Sequence, residues 1–280
     1  MWPLTLLTVF LNYSAYASIQ VKAQIHDIDF GQEGEEDLIL LTSGHVARIQ
    51  KNKKISKNEM NSLHKSKQWA SFSLNEKNEI ESYIINQLKD SQKKIKVEPK
   101  NQEENYVPTI LENMEVAAKY FKESRYVDKE SQCFNRAHIW SYEWFVQNAI
   151  NSNKTWIFFT RRYIRKFKFD WWFHVSPSVT VSDNGGIKEQ VMDVKYARGP
   201  LDLRKWTNIF MKDDANCPMV KSYSEYANYP ESGSCYTMKT SMFYYQPVDM
   251  ESKEIWDTVR ANWYDTEIKQ AYLEAFDEVI

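Results

Sequence analysis

A cysteine, a histidine and an aspartate, each set among aromatic or apolar residues, are the parts of this chain that suit covalent chemistry: Cys133, His174 and Asp193. Cys133 lies in the run Ser131-Gln132-Cys133-Phe134-Asn135-Arg136-Ala137-His138, and the apolar spacing continues through Trp140, Trp144 and Phe145. That pattern predicts a helix opening near Ser131 to Cys133, with Ser131 or Asp128 as its natural cap. At a helix head, unpaired N–H groups and the positive end of the dipole favour a thiolate. The same groups can receive the charge that develops on a carbonyl oxygen under attack. His174 falls in a predicted strand over 171–181, where alternation puts Trp172, His174 and Ser176 on one face and Trp171, Phe173 and Val175 on the other. An imidazole, ordinarily titrating near ~6.5, suits extraction of a thiol proton. Asp193 follows Val191-Met192 in a partner strand over 189–194, across a turn at Asp183-Asn184-Gly185-Gly186. Counting back from that turn sets Asp193 roughly level with His174, where a carboxylate can accept from the imidazole and fix its tautomer.

Each of the three also has a plainer role open to it: an inert buried thiol, a satisfied core histidine, or a strand-end aspartate like Asp183 or Asp202. His138 stands five residues after Cys133, not quite on one helix face with it. Neither paired thiols nor a His-Glu-x-x-His spacing accompanies it, so it reads as a packing or supporting group rather than a zinc ligand. No metal and no organic cofactor is expected.

The elements that must position these residues are legible to different degrees. Helices are predicted over 75–88, where Ile80, Ile84 and Leu88 recur at spacing four, over 108–121, over 201–210 and, as one helix or a pair, over 251–276. A short helix is signalled by a capping box from Ser56 to Glu59. Strands are predicted at 37–42 and 44–49 as a hairpin about Ser43-Gly44, at 156–160 with the basic stretch 161–168 as its continuation, and at 238–245. These elements make an α+β fold with an antiparallel sheet packed against helices.

Met1 to Ala17 reads as a secretory signal: an apolar stretch from Trp2 to Leu11, then Ala15-Tyr16-Ala17 as a small-x-small cleavage pattern. Asn12 interrupts the run too early for a membrane anchor. Residues 18–90 form a small α+β unit, and 91–107 is a polar linker whose Lys93, Lys94, Lys96 and Lys100 invite proteolysis. The aromatic-rich main domain then spans 108–250, with a helical extension over 251–280. This is the layout of a secreted zymogen, and equally of a two-domain protein whose first unit stays attached. Export permits disulfides, and Cys217 and Cys235, flanked by turn formers, are expected to pair and leave Cys133 free. The formal net charge of -2 gives no reason to expect a nucleic-acid or membrane-surface partner.

The segments Cys133-Phe134-Asn135-Arg136-Ala137-His138, Trp171-Trp172-Phe173-His174-Val175 and Val191-Met192-Asp193 resemble the secreted bacterial protein-glutaminases, which deamidate glutamine side chains within proteins. The resemblance spans roughly 106–247, with Val194 where that family commonly has proline. It implies a nucleophile at Cys133, a base at His174 and an acid at Asp193, on a core like that of transglutaminases and papain-like peptidases. It also implies a pro-region that occupies the cleft until a processing protease removes it. The expected product is a monomeric, cofactor-free enzyme, periplasmic or extracellular, acting on protein substrates with exposed glutamine. Aromatic side chains at Trp171, Trp172 and Tyr196 would wall a slot for the flat neutral amide. A transglutaminase or peptidase with the same three residues, and a secreted binding protein with an inert cysteine, remain open at this point.

Overall fold

The computed structural model describes residues 18–49, 55–86, 106–127, 131–183, 185–227, 233–251, 263–278 and 280. The signal and linker readings, the cap at Asp128 and the helical positions Ile255 and Val259 lie outside them.

Among the described residues, two three-stranded sheets and one helix make up the first unit. Strands β1 (Ile19–Ala23), β5 (Ala70–Leu74) and β6 (Ile80–Ile85) form one sheet in the order β1-β5-β6. Strands β2 (Ile25–Asp29), β3 (Leu38–Leu41) and β4 (Val46–Arg48) form the other. Helix α1 (Lys57–Ser66) carries the capping box, with the Ser56 side chain accepting from Glu59 N and the Glu59 carboxylate accepting from Ser56 N. The helix expected over 75–88 is instead β6. Asn75 Oδ1 accepts from the backbone of Lys77 and Glu79, Asn78 takes a left-handed φ of 56°, and this tight turn folds the isoleucines back onto β5. Ile80 is buried but Ile84 is exposed, so spacing of four marked no shared face here.

The main domain is built on a six-stranded sheet. Strands β8 (Asn153–Phe159), β9 (Phe173–Asp183), β10 (Gly186–Val191), β11 (Met219–Val220) and β12 (Cys235–Ser241) lie in the order β10-β9-β8-β12-β11, and β7 (Ile110–Leu111) pairs in parallel with β9. Because Ile110 and Leu111 join the sheet, the helix expected from 108 begins only at α2 (Met114–Glu123), capped by Asn113 accepting from Val116 N. Helix α3 (Cys133–Asn148) packs across β9. The basic stretch after β8 is not strand but helix α4 (Arg161–Phe167), started by the Thr160 hydroxyl accepting from Tyr163 N. Helix α5 (Leu203–Phe210) is capped by Asp202. Short helices α6 (Tyr223–Ala227) and α7 (Pro247–Glu251) follow, and a π-helical turn at Trp263–Glu267 leads into α8 (Ile268–Phe276). Cys217 and Cys235 are bonded and Cys133 is free. The fold is therefore α+β, with antiparallel sheets packed against helices.

Two hydrophobic cores meet at β3. Period-two alternation turns Ile39 and Leu41 into the core of the first unit and Leu38 and Leu40 into that of the main domain. A strand buried on both faces reads as a continuous apolar run, which is what Leu38-Ile39-Leu40-Leu41 is. The turn after it approaches the main sheet closely. Gly44 has a φ of 91°, its carbonyl accepts from Trp172 N, and a Cβ at this position would lie 3.2 Å from the Phe173 ring.

Candidate active site

Cys133 is the first residue of α3, as the sequence predicts, but among the described residues the helix starts without a side-chain cap. Gln132 occupies the cap position and makes no capping bond. Ser131, the expected cap, is engaged elsewhere: its carbonyl and hydroxyl both face Arg136 Nη1. Among the described residues no side-chain cap takes up the first N–H groups of α3, at the point where the thiol sits. Cys133 is 2% exposed.

His174, the second residue of β9, is buried, and its ring is set by aromatic neighbours. Phe210 lies 4.6 Å away between ring centres, Tyr196 stands edge-on at 5.2 Å, and Trp206 is at 5.8 Å. Its Nε2 is 2.7 Å from Asp193 Oδ2, and the Cys133 thiol is near enough to help raise the pKa of the same imidazole. With Nε2 taken by the carboxylate, Nδ1 is the ring nitrogen open to sulfur.

Asp193 reaches the imidazole by a different route from the one expected. The β9–β10 ladder ends at Val191 opposite Ser178, and its register would set position 195, not 193, across from His174. The chain leaves the sheet after Met192 and turns, with the Asp193 carbonyl accepting from the backbone of Tyr196 and Ala197. Counting residues across a hairpin assumed a ladder that does not continue that far. The turn presents the carboxylate to His174 Nε2 and to Trp206 Nε1, which donates at 2.9 Å to the same oxygen.

The electrostatics follow from this packing. Burial alone would push the His174 pKa down, but the Asp193 charge and hydrogen bond, helped by the thiol, raise it to about 9. Burial would likewise raise Asp193, yet the facing imidazole, the indole N–H and the charge of Arg136 hold it below the usual carboxylate range. Such a pair keeps the imidazole protonated through neutral pH, next to a sulfur.

Of the expected aromatic walls, only Tyr196 faces the imidazole. Trp172 is 1% exposed, stacks on His26 at 4.3 Å and donates through Nε1 to the Leu41 carbonyl, while Trp171 stacks on His45 at 4.4 Å. Both indoles are covered by the first unit.

His138 is fully buried and bonded on both ring nitrogens. Nε2 donates to Glu267 Oε2 at 3.2 Å, and Nδ1 faces Lys154 Nζ, which also donates to the Tyr244 carbonyl at 2.5 Å. Burial drives the Lys154 pKa well below its ordinary value against the pull of Glu267, Asp249 and Cys133. Burial and the neighbouring Lys154 do the same to His138. Among the described residues no group of three or more His, Cys, Asp or Glu side chains could hold a metal ion, and no helix is long and apolar enough to cross a membrane.

Trp206, Arg136 and Lys154 were missed by the sequence reading. The first two carried a signal: a buried indole needs an acceptor for its N–H, and a buried guanidinium needs several.

Residues 111–210 match the family model described as Glutaminase. That span contains Cys133, His174 and Asp193 and ends with α5. Pro-protein-glutaminase has the same fold, with a TM-score of 0.51 and 14% identity over 90% of this chain and 92% of that one. A mutant form of pro-protein-glutaminase gives a TM-score of 0.54 at the same identity and coverage. Protein-glutaminase from Chryseobacterium proteolyticum gives a TM-score of 0.34 at 13% identity, over 50% of this chain and 77% of that one. No curated protein matches the chain. The chain thus carries a match to a Glutaminase domain over 111–210 and is similar in fold to pro-protein-glutaminase.

Proposed function

We propose that the chain is a cysteine-dependent protein-glutamine glutaminase, hydrolysing the side-chain amide of protein-bound glutamine to glutamate and ammonia. The observation that carries this reading is the thiol at the head of α3 against an imidazole whose far nitrogen is held 2.7 Å from a buried carboxylate. A protonated His174 beside sulfur is the counter-ion that a thiolate needs. The Cys133 thiolate adds to the carboxamide carbon, and the uncapped N–H groups of α3 receive the charge on the amide oxygen. His174 gives its proton to the departing nitrogen, ammonia leaves, and a thioester remains. Water then loses a proton to His174 and attacks the thioester, releasing glutamate and returning the thiol. Asp193 keeps the imidazole in one tautomer throughout.

The domain reading is part of the same proposal. Residues 18–90 are an inhibitory pro-region, 91–107 a linker cut by a processing protease, 108–250 the catalytic domain and 251–280 a helical extension, in a chain exported by its first 17 residues. It is supported by the burial of Cys133 and by the docking of the first unit on the strand entering His174.

The test is incubation of an intact protein substrate with the full chain and with the chain nicked in the linker. Ammonia release with an amide-to-acid mass change and no fragments is expected, abolished in Cys133→Ala with the melting temperature nearly unchanged. Crosslinked products would establish a transglutaminase, fragments a peptidase, and no reaction from either form a binding protein.

A further inference from the structure

Arg136 and Tyr196 sit beside the thiol and imidazole without a part in the steps above. Arg136 leaves α3 one turn after Cys133 and is 5% exposed. Its Nη1 donates to the Ser131 carbonyl, with the Ser131 hydroxyl at 3.5 Å. The guanidinium carbon lies 5.9 Å from the centre of the Tyr196 ring, and the guanidinium is near enough to favour charge on the Tyr196 oxygen. Arg136 thereby ties the residue two before the nucleophile to the turn that carries the acid.

A guanidinium can only donate, so toward the phenol oxygen it can offer hydrogens to a lone pair but cannot take up the phenol's own O–H, which is left for another acceptor. Among the described residues none takes it. The ring is fixed edge-on between His174 and Phe210, at 5.2 and 5.3 Å, while the residue as a whole stays 45% exposed. The hydroxyl is close enough to Cys133 for their charges to interact. Burial and the nearby Asp193 and Cys133 raise its pKa above the ordinary value despite Arg136, so the O–H is intact at working pH.

We infer that Tyr196, aimed by Arg136, donates its hydroxyl hydrogen bond to the substrate's amide oxygen as the thiol adds, completing with the head of α3 the site that holds the tetrahedral oxyanion. This rests on the glutaminase reading. Tyr196 would touch the reacting atoms, whereas Arg136 acts through it as a positioning residue. The pair comes from two elements, and so forms only when α3 and the 193–197 turn are both in place.

Tyr196→Phe keeps the ring packing and deletes only the donor. In the same preparation as wild type, its kcat for ammonia release is expected to fall roughly 10²–10³-fold, the loss typical of one oxyanion donor, with KM little changed. Alkylation of Cys133 by iodoacetamide involves no tetrahedral oxyanion, so its rate and pH profile should stay those of wild type. Arg136→Lys should lower kcat too, and should add little in the Tyr196→Phe background, since both act on one hydrogen bond. Retention of kcat in Tyr196→Phe, or a parallel loss of alkylation showing a merely disturbed thiol–imidazole pair, would overturn the inference. Absence of ammonia release from wild type in both full-length and nicked form would instead remove the functional reading beneath it.

Discussion

At the scale of single residues, the site depends on opposing effects at His174. Its burial disfavours the imidazolium, and the facing Asp193 more than compensates. Asp193→Asn keeps an acceptor for Trp206 Nε1 but removes the charge, so the imidazole should lose its raised pKa and half of its tautomer control. A kcat loss of roughly 10²–10⁴-fold is expected, measurable by ammonia release. Stability gives a second readout with a definite sign. A histidine whose folded pKa is raised stabilises the fold below its unfolded value of ~6.5, and that contribution disappears as pH rises through about 9. A carboxylate whose folded pKa is depressed stabilises above its unfolded value of ~3.9, and loses that contribution as pH falls. The pair therefore contributes most between those two unfolded values. Wild type should melt lower at pH 9.5 than at pH 5.5, and Asp193→Asn should narrow that difference; equal differences in both proteins would show that the ion pair is not formed.

At the scale of elements, helix α3 is fastened from behind by α8 and the turn before it. Asn135 Nδ2 donates to Glu274 at 2.7 Å, His138 Nε2 to Glu267, and the Tyr272 hydroxyl to Glu143 at 2.9 Å. Trp263 is fully buried against Tyr142, Phe145 and Phe243. The last helix is thus part of the scaffold that sets Cys133. Glu267→Leu leaves His138 without its acceptor and removes the carboxylate that most favours charge on Lys154, which should cost about 3 kcal/mol and lower Tm by roughly 6–12 °C. Glu267→Gln keeps an acceptor oxygen and should lose less in a thermal melt. This network also shows where sequence reading stops. The helix from Cys133, the hairpin at Gly44, the capping box and the disulfide were all legible because local chemistry decides them. Strand β6, helix α4 and the start of α2 were not, because four-residue spacing and short apolar runs fit helix and strand alike until a turn or a sheet partner settles the matter. The approach of His174 and Asp193 was legible as residue types, while the route by which Asp193 arrives depends on where the β9–β10 ladder ends. Lys154 reads as an ordinary strand residue, and only the three-dimensional meeting of β8, α3 and the chain end reveals its burial.

At the scale of the molecule, the first unit docks through two histidines that it carries and two tryptophans that it covers. His26 stacks on Trp172, accepts from the Tyr223 hydroxyl at 2.9 Å, and has Glu251 3.6 Å away; the charges of Asp27, Lys67, His64 and Arg161 also reach it. His45 stacks on Trp171 beside the Ser43 hydroxyl at 3.1 Å, with Asp170 the charge that bears on it. Burial lowers both pKa values to about 4, only partly offset by the neighbouring aspartates. In a detached unit both rings would titrate near ~6.5, so detachment takes up protons between those limits. Docking is then strongest above pH ~6.5 and weakens as pH falls toward 4, by up to roughly a hundredfold per pH unit while both histidines contribute. The partly exposed ion pairs Arg165–Asp29 and Lys168–Glu36, at 2.5 and 2.6 Å, add a salt-sensitive component. In chain nicked between 91 and 107, size-exclusion chromatography at fixed salt should show the first unit retained at pH 7 and increasingly released at pH 5. Replacing His26 and His45 by Gln should flatten that dependence, because an amide carries no titrating proton. Retention that is independent of pH between 4 and 7 in the wild-type nicked chain would mean that the histidines are not held neutral at this contact, and the docking would then have to rest on β3 and its ion pairs alone.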